Sequence, residues 1–231
     1  MFFSDNYIGI YDNSLTKQEC EMIINRFETK DMHRHKDSTK SCSYEDQVKF
    51  LNDPSYKCKE VPLENAKICK EISFDLRNSD DAFYHRMVKN AIVRKFNLYQ
   101  KRYPFLAAGS NSCQYHLTSI YNLQKYEDGE GYFNLHNEHG TLSPYRMLTW
   151  MIYLNDATSG TWFPTQKKTI KPKTGRLVIW PASWTHPHKG VTPNVGNKYI
   201  LTGWWNYEPK YMDGDIISYD LHSDGSLFSK Y

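Results

Sequence analysis

The chain has 231 residues, of which 39% are hydrophobic, so it is long enough to bury a core of its own. Its formal net charge of +3 is too small to indicate nucleic-acid binding without a clustered basic surface. No stretch approaches the roughly 18 apolar residues of a membrane helix, and the N-terminus lacks the basic flank and apolar run of a signal peptide. We therefore expect a soluble, unexported, cytoplasmic protein that does not bind membranes, and its charge does not favour nucleic acid as a partner.

The cysteines also bear on the compartment. Their number is odd, and no two of them have the CxxC spacing of a thiolate zinc site: Cys20, Cys42, Cys58, Cys69 and Cys113. Neither a complete disulfide framework nor a structural zinc site is indicated. We predict free thiols in a reducing compartment.

The first third of the chain opens with a helical pattern. Apolar residues recur at helical spacing after Leu15, and Ser14 or Thr16 can cap the N-terminus, so the pattern predicts a helix near residues 15–28. Residues 30–59 are polar and short of aliphatic side chains, which predicts a long loop, either disordered or functional.

Two further segments look helical in the sequence, Pro62 to Arg77 and Asp80 to Arg102. In the second, Val88, Ile92 and Tyr99 fall on one stripe, so this helix is predicted to pack on a sheet. The basic residues off that stripe are interpreted as a solvated helix face, with phosphate binding as the alternative.

The period changes from helical to alternating after about Asn111. The segments CQYHLTSIYNLQKY, RMLTWMIYLND, RLVIWP and KYILTGWWNY are separated by Gly, Pro and Asn turns, which is typical of β-strands. An aromatic content of 15% agrees with strands and with a pocket lined by rings. We predict a mainly β member of the α+β class, a double-sheet roll or barrel with a helical layer on one outer face.

One short segment, YEDGEGYFNLHNEHG at residues 126–140, is too polar for a core strand. Side chains alternate along extended chain, so His136 and Glu138 are predicted to share a face. Two histidines and one carboxylate form the facial triad of non-haem Fe(II) oxygenases, which leaves three coordination positions open. Taken alone, the HxE pattern does not specify a metal site, since such a pair more often lies exposed on the surface or forms an ordinary ion pair.

A second histidine-rich turn, WTHPHKGV, could supply the third ligand. His186 and His188 have the same strand parity, so periodicity does not separate them. Lys198 follows His188 by ten residues and opens an alternating strand, where it shares a face with Ile200, Thr202 and Trp204 and is predicted to point inward.

The combined motifs resemble those of the 2-oxoglutarate- and Fe(II)-dependent dioxygenases, and most closely their prolyl hydroxylase branch. The family pattern runs Y-x2-G-x2-Y-x2-H-x-D, then R-x-x-T-x-x-x-Y-L-N, then H, then K or R about ten residues on. The ordered match covers about residues 121–207 of this chain: Tyr126, Gly129, Tyr132, His136, Glu138, Arg146, Thr149, Tyr153, Leu154, Asn155, His188 and Lys198.

The resemblance implies a role for each matched residue. His136, Glu138 and His188 would be the catalytic metal ligands for Fe(II), and Lys198 would pair with the distal carboxylate of 2-oxoglutarate. The other cofactor-binding residues would be Tyr126, Tyr153 and Thr202, and the residues on the substrate side would be Arg146 and Trp204. The remaining candidates, His116 and His139, are interpreted as structural.

The resemblance also implies the reaction. Such an enzyme converts 2-oxoglutarate and O2 into succinate and CO2 while it hydroxylates a C–H bond, here of a peptidyl proline in a peptide or protein, with ascorbate as an optional reductant. Two alternatives remain open: the same cofactors acting on a nucleic-acid base or small molecule, or a non-catalytic cupin-like metal-binding module. The family usually has Asp where this chain has Glu138, whose extra methylene lengthens the arm.

The resemblance makes the predicted fold a double-stranded β-helix, the jelly roll of cupins, with N-terminal helices packed on one sheet. The predicted organisation is a helical layer at residues 1–110 with a polar loop near 30–59, a catalytic core at 111–208, and a C-terminal extension at 209–231. These parts are expected to form one structural domain.

Overall fold

The structure is a computed structural model. It describes residues 2–4, 6–41, 49, 53, 55, 61–77, 80–108, 114–140, 143–191, 195–208, 219–221 and 227–229. The helices are α1 (Lys17–Glu28), α2 (Ala82–Arg102) and α3 (Pro104–Ala108). The strands before α2 are β1 (Phe2–Ser4), β2 (Ile8–Tyr11), β3 (His33–Ser41) and β4 (Val61–Asp75).

The remaining strands follow α3. They are β5 (Gln114–Leu117), β6 (Ile120–Tyr126), β7 (Gly131–Tyr132), β8 (Arg146–Tyr153), β9 (Thr161–Phe163), β10 (Lys168–Ile170), β11 (Arg176–Pro181), β12 (Lys189–Gly190), β13 (Lys198–Glu208), β14 (Tyr219–Leu221) and β15 (Leu227–Ser229).

A large antiparallel sheet dominates the fold. Its strand order is β1-β2-β11-β8-β13-β6-β4-β3, with β5 paired to β13 and β7 paired to β4. A smaller sheet has the order β10-β9-β12, and β14 pairs with β15. The large sheet curls and the small one packs against it, as in a jelly roll. The predicted mainly β jelly-roll fold is confirmed.

The two faces of the large sheet bury different clusters, because side chains alternate along each strand. On β8, Trp150 and Ile152 pack with the helices, whereas Met151 and Tyr153 pack with side chains such as Phe163 of the small sheet. The central strands therefore have one face in a structural core and the other in the space between the sheets.

Helix α1 begins where the sequence predicts. Thr16 is its N-cap and forms a capping box with Glu19, which satisfies backbone N–H groups that the first turn leaves unpaired. Cys20, Ile23 and Phe27 are buried against the sheet. Among the described residues, no helix combines the length and apolarity needed to cross a membrane.

The predicted helix at Pro62 to Arg77 is wrong. Val61–Asp75 is strand β4, which pairs with β6 on one side and with β3 on the other. Part of the loop predicted near 30–59 is also strand, because His33–Ser41 forms β3, and most of the rest of that segment lies outside the described residues. Cross-strand hydrogen bonding over this length overrides a local helical pattern.

Helices α1 and α2 are joined through Asp81, a carboxylate with 2% of its side chain exposed. Arg26 Nη2 lies 2.9 Å from Asp81 Oδ1, and Lys30 Nζ lies 2.6 Å from Oδ2. Asp81 is also the N-cap residue of α2. Of its two cationic partners, Arg26 lies in the last turn of α1 and Lys30 follows that helix. The pair of cations thereby fixes the start of α2.

We predict that Asp81→Asn destabilises the protein measurably in urea unfolding. Loss of one partner from a buried ion pair typically costs about 3 to 5 kcal/mol, and the partial exposure of Arg26 and Lys30 places this variant near or below the lower bound. Asp31→Asn, at an exposed site, is the matched control and should change the free energy of unfolding by less than about 0.5 kcal/mol. Equal stability of both variants would contradict the proposed role of Asp81.

Candidate active site

Two loops that bring histidines together are joined by their main chains. His136 N–H donates to His188 O at 3.1 Å, and His188 N–H donates to His136 O at 2.8 Å. Glu138 N–H and His139 N–H both donate to Ala182 O at 3.0 Å. The predicted alternation does place His136 and Glu138 on one side, but through this isolated bridge and not through a regular strand.

The orientation of both imidazole rings is fixed by backbone carbonyls. His136 Nδ1 lies 2.9 Å from Asn134 O, and His188 Nδ1 lies 3.1 Å from His186 O. A carbonyl oxygen only accepts, so each Nδ1 carries a hydrogen, and in the neutral ring each Nε2 is left with a lone pair. Burial lowers the pKa of His188 and favours its neutral form.

Both Nε2 atoms face the same carboxylate oxygen. Glu138 Oε1 lies 3.6 Å from His136 Nε2 and 3.5 Å from His188 Nε2. The three ligand atoms all lie within 4.8 Å of one another. Two neutral imidazole lone pairs and an anionic oxygen cannot hydrogen-bond one another without a proton or cation between them. This donor set therefore fits a divalent metal ion.

The second oxygen of Glu138 has partners of its own. Arg146 Nη1 donates to Glu138 Oε2 at 3.1 Å, and Trp204 Nε1 donates to it at 3.0 Å. Burial alone would raise the pKa of Glu138, but the hydrogen bonds and charge that arise when His136 and His188 also carry a proton on Nε2 hold that pKa well below its usual range. Glu138 is therefore a carboxylate anion at neutral pH.

The structure separates the competing histidines. His186 Nε2 lies 2.8 Å from Asn6 O and His186 Nδ1 lies 2.9 Å from Thr185 Oγ1, so both of its ring nitrogens are engaged away from Glu138. His139 is exposed and its Nδ1 lies 3.3 Å from Arg146 O, while His116 is exposed on β5. Within the described residues, only His136, Glu138 and His188 form such a cluster.

These side chains line a cavity of about 300 Å³ between the two sheets. Every predicted site residue lies on its wall: His136, Glu138, His188, Lys198, Tyr126, Tyr153, Thr202, Arg146 and Trp204. Every second residue of β13 faces the cavity, so one face of this strand forms much of the wall: Lys198, Ile200, Thr202 and Trp204. The inward orientation predicted for Lys198 is what the structure has.

Lys198 lies in this cavity as a buried cation, with 5% of its surface exposed. Its Nζ donates to Ser159 Oγ at 3.3 Å and to Ser159 O at 3.5 Å, and lies 4.5 Å from the centre of the Tyr126 ring. Among the described residues, no carboxylate lies within ion-pair distance of it. Burial accordingly lowers the pKa of Lys198 to about 8. A buried ammonium without a counter-ion fits an anionic ligand.

The hydroxyl groups on the cavity wall differ in whether their hydrogen is free to bind an anionic ligand. Tyr126 OH donates to Gln124 Oε1 at 2.7 Å, and Thr202 Oγ1 donates to Trp150 O at 3.2 Å. Tyr153 OH and Thr161 Oγ1 lie 2.7 Å apart and either can be the donor. In that pair one hydroxyl hydrogen remains available to a carboxylate, whereas Tyr126 and Thr202 would first have to rotate.

Three residues of the site were not predicted from the sequence. Ser159 holds Lys198, Thr161 pairs with Tyr153, and Tyr132 stacks on the His136 ring with ring centres 3.9 Å apart. Tyr132 was within the matched motif, so its position could have been assigned. Ser159 and Thr161 lie in the TSGT turn, where the match to the family is loose.

Residues 121–206 match the model of the 2OG-Fe(II) oxygenase superfamily, and this segment contains all nine predicted site residues. No curated protein shows significant sequence similarity to the chain. The resemblance inferred from the motifs is thus confirmed over residues 121–206, and the match supports Fe(II) and 2-oxoglutarate as cofactors because the three residues that fit a metal ion lie within it.

Solved structures with a similar fold include prolyl hydroxylases. A viral collagen prolyl hydroxylase from Paramecium Bursaria Chlorella virus-1, in complex with 2OG, has a TM-score of 0.53 and 18% identity over 89% of this chain and 98% of its own. A Pseudomonas putida prolyl-4-hydroxylase has a TM-score of 0.56 and 13% identity over 89% and 95%. A Trichoplax adhaerens prolyl hydroxylase, in complex with a hypoxia inducible factor peptide fragment, has a TM-score of 0.56 and 16% identity over 87% and 84%.

Proposed function

We propose that this chain is an Fe(II)- and 2-oxoglutarate-dependent dioxygenase that hydroxylates a proline within a peptide or protein. One observation carries the proposal: a converging set of two imidazoles and a carboxylate shares a cavity with a buried lysine that has no carboxylate partner among the described residues. A metal satisfies the first group and a dicarboxylate the second.

His136, Glu138 and His188 are proposed as the iron ligands. Three protein ligands leave half of an octahedron open, which suits a bidentate co-substrate and O2. The backbone carbonyls that receive both Nδ1–H groups hold the rings in the tautomer that ligation requires. Iron bound there would supply the redox chemistry in which O2 oxidatively decarboxylates 2-oxoglutarate to succinate and CO2, with one oxygen atom going to succinate and the other into the substrate C–H bond.

Lys198 is proposed to bind the distal carboxylate of 2-oxoglutarate. The Tyr153–Thr161 hydroxyl pair is proposed to donate its remaining hydrogen to the same carboxylate. Tyr126 supports the ammonium with its ring face. A role of Thr202 in co-substrate binding stays a prediction, since its hydroxyl donates to the main-chain oxygen of Trp150. The use of ascorbate as a reductant also stays a prediction.

The choice of a peptidyl proline rests on similarity and on the cavity mouth. Similar structures include prolyl hydroxylases, and one of these holds a peptide. At the mouth, the Arg146 guanidinium stacks on the Trp204 ring at 3.6 Å, a flat surface suited to an extended peptide. Because one fold can serve many substrates, the experiment compares substrate classes directly.

The test begins with anaerobic titration of Fe(II) and 2-oxoglutarate, monitored for a visible charge-transfer band, followed by air and a succinate assay. Proline-containing peptides, the same peptides with alanine for proline, free proline and single-stranded oligonucleotides are then compared by mass spectrometry. Addition of one oxygen only to the proline peptides is expected. Oxidation of only the oligonucleotide or the free amino acid would refute the substrate assignment. Metal binding without succinate formation would indicate a binding module.

The pKa of Lys198 predicts a pH dependence of co-substrate binding. Below pH 8 the free protein already carries the ammonium, so 2-oxoglutarate affinity should be nearly constant. Above pH 8 the lysine is neutral and must take up a proton on binding, so affinity should fall by up to about tenfold per pH unit. Calorimetry at pH 9 in buffers of different ionisation enthalpy should detect this proton uptake, and its absence would contradict the assignment.

A further inference from the structure

The two oxygens of Glu138 have different surroundings. Oε1 faces both histidine Nε2 atoms, whereas Oε2 receives hydrogen bonds from Arg146 Nη1 and Trp204 Nε1. Arg146 Nη1 also lies 3.3 Å from the Glu138 carbonyl oxygen. One arginine therefore contacts the side chain and the main chain of the same residue, and the carboxylate has little freedom to turn.

The two donors are also held against each other. Arg146 begins β8 and Trp204 lies on the adjacent β13, where Trp204 pairs with Thr149 and Asn206 pairs with Arg146. The guanidinium carbon lies 3.6 Å from the indole ring centre, so each side chain restricts the other. Charge-assisted hydrogen bonds in a half-buried site such as this are stronger than neutral ones.

This arrangement matters because the carboxylate here belongs to glutamate. Compared with aspartate, Glu138 has one more rotatable bond, so it can reach a metal with one oxygen or with both. Coordination through both oxygens would take a fourth position. Only two would remain, too few for a bidentate co-substrate and O2 together.

We propose that Arg146 and Trp204 are positioning residues that restrict Glu138 to coordination through Oε1 alone and so keep three metal positions open. The inference rests on the proposed function. It also revises the sequence-based roles of both residues, because their first contact is Glu138 and any contact with substrate comes in addition.

The experiment compares Trp204→Phe, which keeps a ring for Arg146 to stack on but removes the N–H, with Arg146→Met, which removes the charged donor. Trp184→Phe, at an exposed tryptophan outside the cavity, is the matched control. Anaerobic titrations measure Fe(II) affinity, 2-oxoglutarate affinity and the charge-transfer band in each variant. Circular dichroism checks folding, and either variant alone is sufficient if the other fails to fold.

In both variants Fe(II) affinity should be kept or increased, because a second oxygen becomes available to the metal. The apparent Kd for 2-oxoglutarate should rise about tenfold or more, as expected for loss of a hydrogen bond to a charged group, and the band should weaken. In a Glu138→Asp background the shorter arm withdraws from Trp204 Nε1. In that background, adding Trp204→Phe should change the apparent Kd for 2-oxoglutarate by less than about twofold, since Trp204 no longer hydrogen-bonds the carboxylate.

Several outcomes would overturn the proposal. A Trp204→Phe variant with wild-type band and 2-oxoglutarate affinity, and a raised KM for peptide only, would make Trp204 a substrate residue alone. An equal effect of Trp204→Phe with Glu138 and with Asp at that position would show that it does not act through the carboxylate. If the unmodified protein gives no band with Fe(II) and 2-oxoglutarate, the proposed function fails instead, so the two failures are distinguishable.

Discussion

His136→Ala and His188→Ala are each expected to abolish Fe(II) binding and succinate formation. Each variant removes one of three ligand atoms that lie within 4.8 Å of one another, and two remaining ligands hold a divalent ion poorly. The largely buried carboxylate then loses the cation that neutralises it. Anaerobic Fe(II) titration and a succinate assay measure both effects, and the loss in turnover should exceed about a thousandfold.

His139→Ala is the matched control, since His139 lies in the same loop but is exposed and faces Arg146 O. It should keep both iron binding and turnover. His186→Ala should keep iron binding but lower stability, because it removes contacts to Asn6 and Thr185. Iron binding that survives His188→Ala and is lost in His186→Ala would transfer the ligand role to His186.

Lys198→Met is expected to weaken 2-oxoglutarate binding by about 3 to 5 kcal/mol, because it leaves a buried carboxylate of the co-substrate without its cation. Fe(II) affinity should change little, since Lys198 Nζ contacts Ser159 and Tyr126 and none of the three metal-site residues. Titration of 2-oxoglutarate against the metal-loaded protein under anaerobic conditions measures the effect, with the charge-transfer band as the signal.

Lys125→Met provides the control for that variant. Lys125 lies on β6 opposite Tyr199 of β13, one residue from the position paired with Lys198, and its ammonium contacts Glu28 outside the cavity. It should leave 2-oxoglutarate affinity unchanged within about twofold, because its ammonium pairs with Glu28 and its side chain does not line the cavity. An unchanged affinity in Lys198→Met itself would show that another group binds the distal carboxylate.

Side-chain alternation made a large part of the site predictable. Once β13 is assigned, Lys198, Thr202 and Trp204 must share a face, and the wall of the cavity follows from one strand. Helix α1 was predictable for a similar reason, because Thr16 and Glu19 form a local capping signal that needs no tertiary contact. Local physics and the final fold agree at these positions.

Strand β4 could not be predicted in this way. Its sequence, VPLENAKICKEISFD, contains Glu, Lys and Ala, which favour helix, and its buried residues Ala66, Cys69 and Phe74 show no strict alternation. Its conformation depends on pairing with β6 and β3, which are distant in the sequence. Propensity yields where a neighbouring strand supplies the hydrogen bonds.

The contacts around Glu138 were equally beyond the sequence. Trp204 reaches Glu138 across 66 positions of the chain, and Ser159 reaches Lys198 across 39. Motif spacing shows that these residues occur in order, but the partner of each polar atom depends on how neighbouring strands are aligned. That information appears only when the strands are paired.

The backbone bridge between His136 and His188 has a consequence for how the protein gains and loses its metal. The main chain itself sets the spacing of the two imidazoles, and a carbonyl orients each ring before any ion arrives. Most of the conformational entropy that ligation would otherwise cost is therefore lost during folding. Unlike a zinc finger, which unfolds without its ion, this chain should survive chelation intact and be reconstituted by simple addition of metal.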